Sequence, residues 1–328
     1  MRALLTGGTG FIGSSIARAL LDSHYEVRAL VRDGSDMRNL DGLEIERVIG
    51  DITDPSSLAA AMRGCTHVFH AAALYSFWVT IPGLIERVNV EGTRNVLQAS
   101  LEAGIERVVY TSSVAALAVP DKGTPVNEST PVDPSKIIGA YKRSKYAAQQ
   151  VALEYAAKGL PVVIVNPSFP VGPRDIKPTP TGQTIVDFLN HRLPAYVDTG
   201  MNVVDVEDVA RGHILAAENG RIGERYILGG KNMTMGELLA LLSKVTGIPA
   251  PRTQLPYRAL LAVSYANAAW CRITKTTPRM TPDTIRMSRH YMYYDSTKAI
   301  AELGLPQTKP EVALAKAVDW YVENGYVK

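Results

Sequence analysis

The segment TGGTGFIG at residues 6–13 limits what this chain can fold into more than any other stretch. It follows directly on the β-prone run Ala3–Thr6. The residues after it show helical apolar spacing at Ile12, Ile16, Ala19 and Leu20. A strand, a glycine turn and a helix in immediate succession give a tight bend, close approach to the backbone and free N–H groups at a helix N-terminus. A pyrophosphate needs that geometry. Gly7, Gly10 and Gly13 are the expected cradle, with Thr9, Phe11 and Ile12 in the same turn. A strand–helix turn without a ligand is the plainer reading, and the position at the first strand argues against it.

The alternation continues. Apolar runs at Val27–Val31, Ile45–Ile49, His67–His70, Arg107–Thr111 and Pro161–Asn166 read as strands. Helical patterns at Pro55–Met62, Glu86–Ala103 and Tyr141–Lys158 separate them. This predicts an α/β fold, a doubly wound parallel (Rossmann) sheet covered on both faces, with residues 1–166 as a dinucleotide-binding domain. After Asn166 the stretch NPSFPVGPRDIKPTPTGQ is dense in Pro and Gly and reads as an ordered loop. Val203–Val206 reads as a strand returning to the sheet, so that residues 203–215 rejoin the first domain. Residues 167–202 and 216–328 are then a smaller, mainly helical substrate-binding part. The ligand is expected in the crevice between the two, at the carboxyl ends of the strands.

Composition removes several function classes. The net charge is +3, and Lys and Arg are scattered, so no stripe exists to track nucleic acid. Cys65 and Cys271 lie far apart and match no metal spacing. They read as free thiols in a reducing compartment. The start MRALLTGGTG leaves no room for a signal peptide. The apolar stretch Leu255–Thr274 is broken by Arg258 and Asn267, too short to span a bilayer. It reads as a core or lid helix. The expectations are a cytoplasmic enzyme, a small-molecule partner and no metal, with a membrane-touching helix as the lesser alternative to a core or lid helix and a homodimer left open.

The second strand ends at Arg32, roughly twenty residues after the glycines, where an acid usually meets the ribose of NAD. Arg38 follows. A guanidinium there suits a 2′-phosphate, so NADP(H) is favoured; Asp33 beside it keeps NAD(H) open. Asp51 and Ile52, after the third strand, are placed to bracket the adenine. Ala71, Ala72 and Ala73, after the fourth, are small enough for a cofactor to lie against the backbone.

Thr111, Ser112 and Ser113 end a strand, and Tyr141 and Lys145 lie at i and i+4 on one helical face. A phenol titrates near 10 on its own, and an adjacent ammonium, helped by an oxidised nicotinamide, would lower it toward the range of a general acid–base. Lys145 can also hold the nicotinamide ribose. Ser113 can hydrogen-bond the carbonyl or hydroxyl being converted. An exposed surface pair is the alternative for an isolated Tyr-x-x-x-Lys, and the preceding glycine and serine motifs weigh against it.

With these motifs the chain resembles the extended short-chain dehydrogenase/reductase family over nearly its whole length. The resemblance rests on TGGTGFIG (6–13), HAAA (70–73), NVEGTRNVL (89–97), TSS (111–113), YKRSK (141–145), NPSFPVGP (166–173) and VVDVEDVARGH (203–213). Within that family it is most similar to the hopanoid-associated sugar epimerase group, a branch near the dihydroflavonol 4-reductases. The resemblance implies that Asn89 and Thr93 support the helix face near the catalytic centre, and that Asn166 and Val171 sit by the nicotinamide. Phe169 departs from the pattern, which has a small hydroxyl residue there. The implied substrate is a nucleotide sugar or sugar-like hydroxyl/keto compound. An NADPH-dependent ketone reductase is the second reading, and a non-catalytic cofactor-binding regulator the third. The substrate wall is expected from Tyr75, Phe77 and Trp78, from the Pro-rich loop around Arg174, and from the apolar helix near Tyr265 and Trp270.

Overall fold

The computed structural model describes residues 1–76, 81–120, 123–274, 276 and 281–328. Phe77 and Trp78 lie outside the described residues. The chain opens with β1 (Arg2–Thr6), α1 (Phe11–Asp22), β2 (Glu26–Val31), β3 (Glu46–Ile49), α2 (Pro55–Met62) and β4 (His67–His70). Next, α3 (Leu84–Glu86) runs through a π-helical turn at Arg87–Glu91 into α4 (Gly92–Glu102), and β5 (Arg107–Thr111), α5 (Ala140–Ala157) and β6 (Val162–Pro167) follow. The six strands and four helical segments expected here are present within a few residues of their predicted limits.

Seven parallel strands form the main sheet in the order β10-β6-β5-β4-β1-β2-β3, β10 being introduced below. Successive side chains of each strand enter opposite layers. Leu5, Val31 and Val109 face Ile16 and Leu20 of α1 and Val209 and Ile214 further on. Leu4, Val68, Val108 and Ile164 face Leu58 of α2, Val96 and Leu97 of α4, and Val151 and Tyr155 of α5. Two buried faces explain why these strands read as continuous apolar runs rather than alternating ones. The chain leaves β1 toward β2 on one side and returns to β4 on the other. That reversal opens a crevice at the carboxyl ends of β1 and β4.

The second half departs from expectation in three places. The Pro-rich stretch is not loop throughout: it holds β7 (Phe169–Val171), and α6 (Pro180–Leu189) starts inside it with Pro at its first turn. After β8 (Ala195–Tyr196) comes β9 (Gly200–Asp205), the strand expected to rejoin the main sheet. It does not. It pairs with β7 and β11 in a separate three-stranded sheet. What returns is α7 (Val206–Asn219), capped by Asp205 and packed on α1, and then β10 (Arg225–Leu228), which adds a seventh strand beside β6. Sequence alone could not separate these, because β9 and β10 are both short, buried and β-prone. The remainder is β11 (Lys231–Thr234), α8 (Met235–Thr246), β12 (Thr253–Gln254), α9 (Tyr257–Thr274), α10 (Pro282–Met287), α11 (Thr297–Leu303) and α12 (Pro310–Glu323). Its core packs Ile185 and Phe188 against Val203, Leu238, Leu242 and Leu314.

Candidate active site

The glycine loop is built for close approach. Gly7 has φ +76°, and a Cβ there would lie 2.6 Å from the Ala72 nitrogen; a Cβ on Gly13 would lie 2.0 Å from the Gly7 carbonyl oxygen. Neither position tolerates a side chain. Helix α1 then begins at Phe11 with no side-chain cap and no acidic residue in its first turn. Its first N–H groups therefore suit an anion. Asn39 closes one side of the loop, donating from Nδ2 to the carbonyls of Thr9 and Arg174, both at 3.1 Å. Across the crevice the Ala71 and Ala72 nitrogens donate to Thr6. Asp51 accepts the Thr53 N–H and hydroxyl at 2.8 Å, and Asn95 donates to the Ile52 carbonyl at 3.0 Å. The cradle thus matches a dinucleotide in shape and donors.

The two arginines expected at the ribose are not equivalent. Arg32 is exposed and makes no ion pair among the described residues. Arg38 is held by Asp36, with Nη2–Oδ2 at 2.7 Å and Nε bonded to both carboxylate oxygens. This contact pulls the Asp36 carboxyl down to about 2. The sequence view treated Arg38 as available; its carboxylate partner two residues earlier changes that.

At the other end, Tyr141 and Lys145 occupy the first turns of α5, and both are buried. Lys145 Nζ donates to the Thr111 carbonyl at 2.8 Å and lies 5.2 Å from the Tyr110 ring centre. Burial pulls this ammonium down to about 7. Burial pushes the Tyr141 phenol up to about 12, opposed by a hydrogen bond with the Ser113 side chain. Desolvation is the largest influence on the phenol, and Lys145 Nζ is turned to the Thr111 carbonyl. Ser113 also accepts the Ala115 N–H, which fixes its rotamer.

Gln149 and His213, which the sequence did not single out, pack around residues that it did. Gln149, one turn beyond Lys145, accepts from Ser112 Oγ and from Asn166 Nδ2, both at 2.8 Å. Asn166 also donates to the Ser113 carbonyl at 2.8 Å, while its Oδ1 is buried without a partner. His213 of α7 meets the Thr111 hydroxyl through Nε2 at 2.9 Å and the Val209 carbonyl through Nδ1 at 2.8 Å. This selects the Nδ1–H tautomer, and burial holds His213 down to about 4. His70 bridges Thr6 and Thr93 at 2.7 and 3.1 Å, and burial, with Lys145 nearby, takes it to about 3. Asn89 lies in the π-helical turn, where such distortions often accompany functional sites. It clamps both backbone groups of Leu74 and donates to Ser144. Its amide thus serves the walls of the site.

On the open side the Tyr75 ring stands edge-on to Tyr141, with ring centres 4.8 Å apart. Beside Ser113 lies an apolar cluster of Val114, Leu117, Met292 and Tyr294, with Phe169 and Met287 packed on it. Val171 is buried in β7. Arg174, with φ +73°, points toward α7, where Nη2 meets Glu207 at 3.4 Å. Asn39 ties its backbone to the glycine loop, so it stands nearer the pyrophosphate end than the substrate end. Tyr265 and Trp270 are both exposed on α9.

Comparison with known proteins follows the same outline. Residues 3–229 match the family described as NAD dependent epimerase/dehydratase. A Synechocystis protein assigned as a dihydroflavonol 4-reductase is 48% identical over 99% of this chain and 95% of its own. Sterol demethylase protein B of Methylococcus capsulatus is 36% identical over the full length of both. Among solved structures, that of gox2253 superposes with a TM-score of 0.89 at 46% identity, covering 99% of each chain. The dTDP-glucose 4,6-dehydratase DesIV of Streptomyces venezuelae, solved with NAD bound, gives 0.79 at 27% identity over 100% of this chain and 99% of its own. The chain belongs to the NAD dependent epimerase/dehydratase family, the extended short-chain dehydrogenases/reductases, and is an NAD(P)-dependent enzyme.

Proposed function

We propose that this enzyme reduces a ketone, or oxidises the matching secondary alcohol, on a largely apolar substrate. The observation that carries this reading is the half-exposed Tyr75 ring standing edge-on to Tyr141, an aromatic face beside the proton-transfer residue that suits a hydrocarbon scaffold carrying one reactive oxygen. Tyr141 passes the proton between its phenol and the substrate oxygen, and Ser113 orients both. Lys145 holds the nicotinamide ribose, and the first turn of α1 receives the pyrophosphate. The cofactor supplies the hydride. The dihydroflavonol 4-reductase and sterol demethylase relatives support a reaction of this type.

A second reading, epimerisation of a sugar-like substrate with a retained cofactor, is favoured by the Asp36–Arg38 pair. That pair leaves Arg32 as the principal cation for a 2′-phosphate, and NAD needs none. Identification of the nucleotide that co-purifies, followed by single-turnover assays with NADPH and hydrophobic ketones, separates the readings. Stoichiometric oxidation of NADPH supports the reductase. Tightly held NAD that is neither consumed nor exchanged overturns it.

A further inference from the structure

Helix α9 is apolar on both sides. Its inner face is set by Leu260, Ser264, Ala268 and Cys271, all buried and spaced by three or four residues. The outer face carries Ala259, Ala262, Val263, Ala266, Trp270 and Ile273 at the same spacing. Of these, Val263 is 56% exposed, Trp270 65% and Ile273 78%. A helix facing water places charges there. The only charged residues of α9 are Arg258 and Arg272, both cationic.

The surrounding sequence is strongly basic. Between Leu238 and Tyr294 there are eight Lys and Arg against one acid, Asp283, a net of +7, so the rest of the chain carries −4. Arg286 hydrogen-bonds the Tyr265 hydroxyl and stacks on its ring, and Arg289 stacks on Tyr257 at 5.1 Å. Aromatic rings partnered by guanidinium groups beside an apolar stripe are the chemistry of a headgroup layer. Helix α9 is linked to the site through α10. Helix α10 packs on α9, and the Asp283 side chain reaches Gly139, two residues before Tyr141.

We propose that α9 lies on an anionic lipid surface, with Val263, Trp270 and Ile273 inserted and the neighbouring arginines at headgroup level. The cleft then faces the bilayer and takes a substrate dissolved in it. The docking stands on the stripe and the charge; only the delivery step rests on the function proposed above. Among the described residues no helix is long and apolar enough to cross a membrane. A second copy fits the face less well, because a two-fold axis would bring two strongly basic surfaces together.

The test is sedimentation of the full chain with phosphatidylcholine vesicles, with and without phosphatidylglycerol. Binding is expected only with the anionic lipid and should fall as salt is raised. Trp270→Ala/Ile273→Ser should weaken it by about tenfold or more. Arg258→Glu should weaken it by about fivefold or more. The helical circular dichroism of both variants should match wild type. Wild type that stays in solution with both vesicles overturns the proposal. So does a double variant that sediments like wild type, or one that instead abolishes a dimer. Tyr141→Phe should sediment normally; if it also keeps its turnover, the catalytic reading falls while the docking result stands.

Discussion

The two ends of the crevice hold their charged groups in opposite ways. At the catalytic end Tyr141, Lys145, Thr111, Asn166 and His213 are all buried, and their polar atoms are joined through named hydrogen bonds. At the adenosine end Arg32 and Asp33 are exposed, and Arg38 is tied to Asp36 at the surface. Electrostatic effects grow in a buried, low-dielectric setting and are screened at an exposed one. Substitutions at the first end should therefore act strongly on chemistry and stability. Those at the second should act weakly, and on cofactor choice.

The largest effect is expected at Tyr141. Removing the phenolic hydroxyl in Tyr141→Phe should lower turnover by about 10²- to 10⁴-fold, the usual contribution of one general acid–base. Cofactor affinity, measured by fluorescence titration, should stay near wild type. Turnover within a few-fold of wild type would show that the buried end is not where the proton moves.

Lys145 gives the next effect, and its sign follows from burial. An ammonium pulled down to about 7 is charged below that pH and neutral above it. Affinity of the free enzyme for an anionic dinucleotide should accordingly fall as pH rises through about 7. Lys145→Ala should bind weakly at every pH and lose this dependence. A wild-type affinity that is flat from pH 6 to 9 would remove the desolvated ammonium from the binding step.

How much of this was legible in the sequence follows from the same contrast. The glycine turn, the buried strands and the Tyr–Lys pair are local patterns, set by neighbours within a few residues. Gln149 and His213 acquire their roles only when α5 and α7 close on the end of β5, and nothing near Thr111 in the chain announces His213. Likewise, β9 and β10 are both short runs, and only the crossover of α7 decides which one extends the main sheet. Arg38 was legible as a cation but not as a paired one. The apolar residues of α9 suggested a core or lid helix because periodicity reports spacing, not which face finds a partner.

The buried histidines sharpen the comparison through stability. His213 and His70 titrate near 6.5 when unfolded and are held to about 4 and about 3 in the folded chain. Below pH 6.5 the unfolded state takes up protons that the folded state refuses. Their contribution is therefore complete above 6.5 and is lost as pH falls toward the folded values. His213→Gln keeps hydrogen-bonding capacity without the titration. It should lessen the acid-induced loss between pH 6.5 and 4 by on the order of 2 kcal/mol. Urea unfolding at pH 7.5 and 5 gives the slope; equal slopes for wild type and variant would show that His213 does not sense pH.

The smallest effects belong to the exposed end, and there the pair matters more than either residue. Arg32→Asp should weaken NADPH by replacing an attraction with a repulsion, and leave NADH unchanged or slightly tighter. Arg38→Ala removes a cation but also releases the Asp36 carboxylate, now unpaired beside the 2′-phosphate position. It should weaken NADPH by roughly fivefold, since exposed pairs interact weakly. Asp36→Ala tests the same contact from the other side. It frees the Arg38 guanidinium, so NADPH binding should tighten by a similar factor while NADH stays constant. The double variant Asp36→Ala/Arg38→Ala should fall between the two, and raised salt should shrink every difference. The measurement is a titration of both reduced cofactors against wild type and the four variants. If Asp36→Ala leaves NADPH affinity unchanged, Arg38 does not reach the 2′-phosphate even when released. Arg32 would then be the sole guanidinium acting there, and any preference for NADPH would rest on that residue alone.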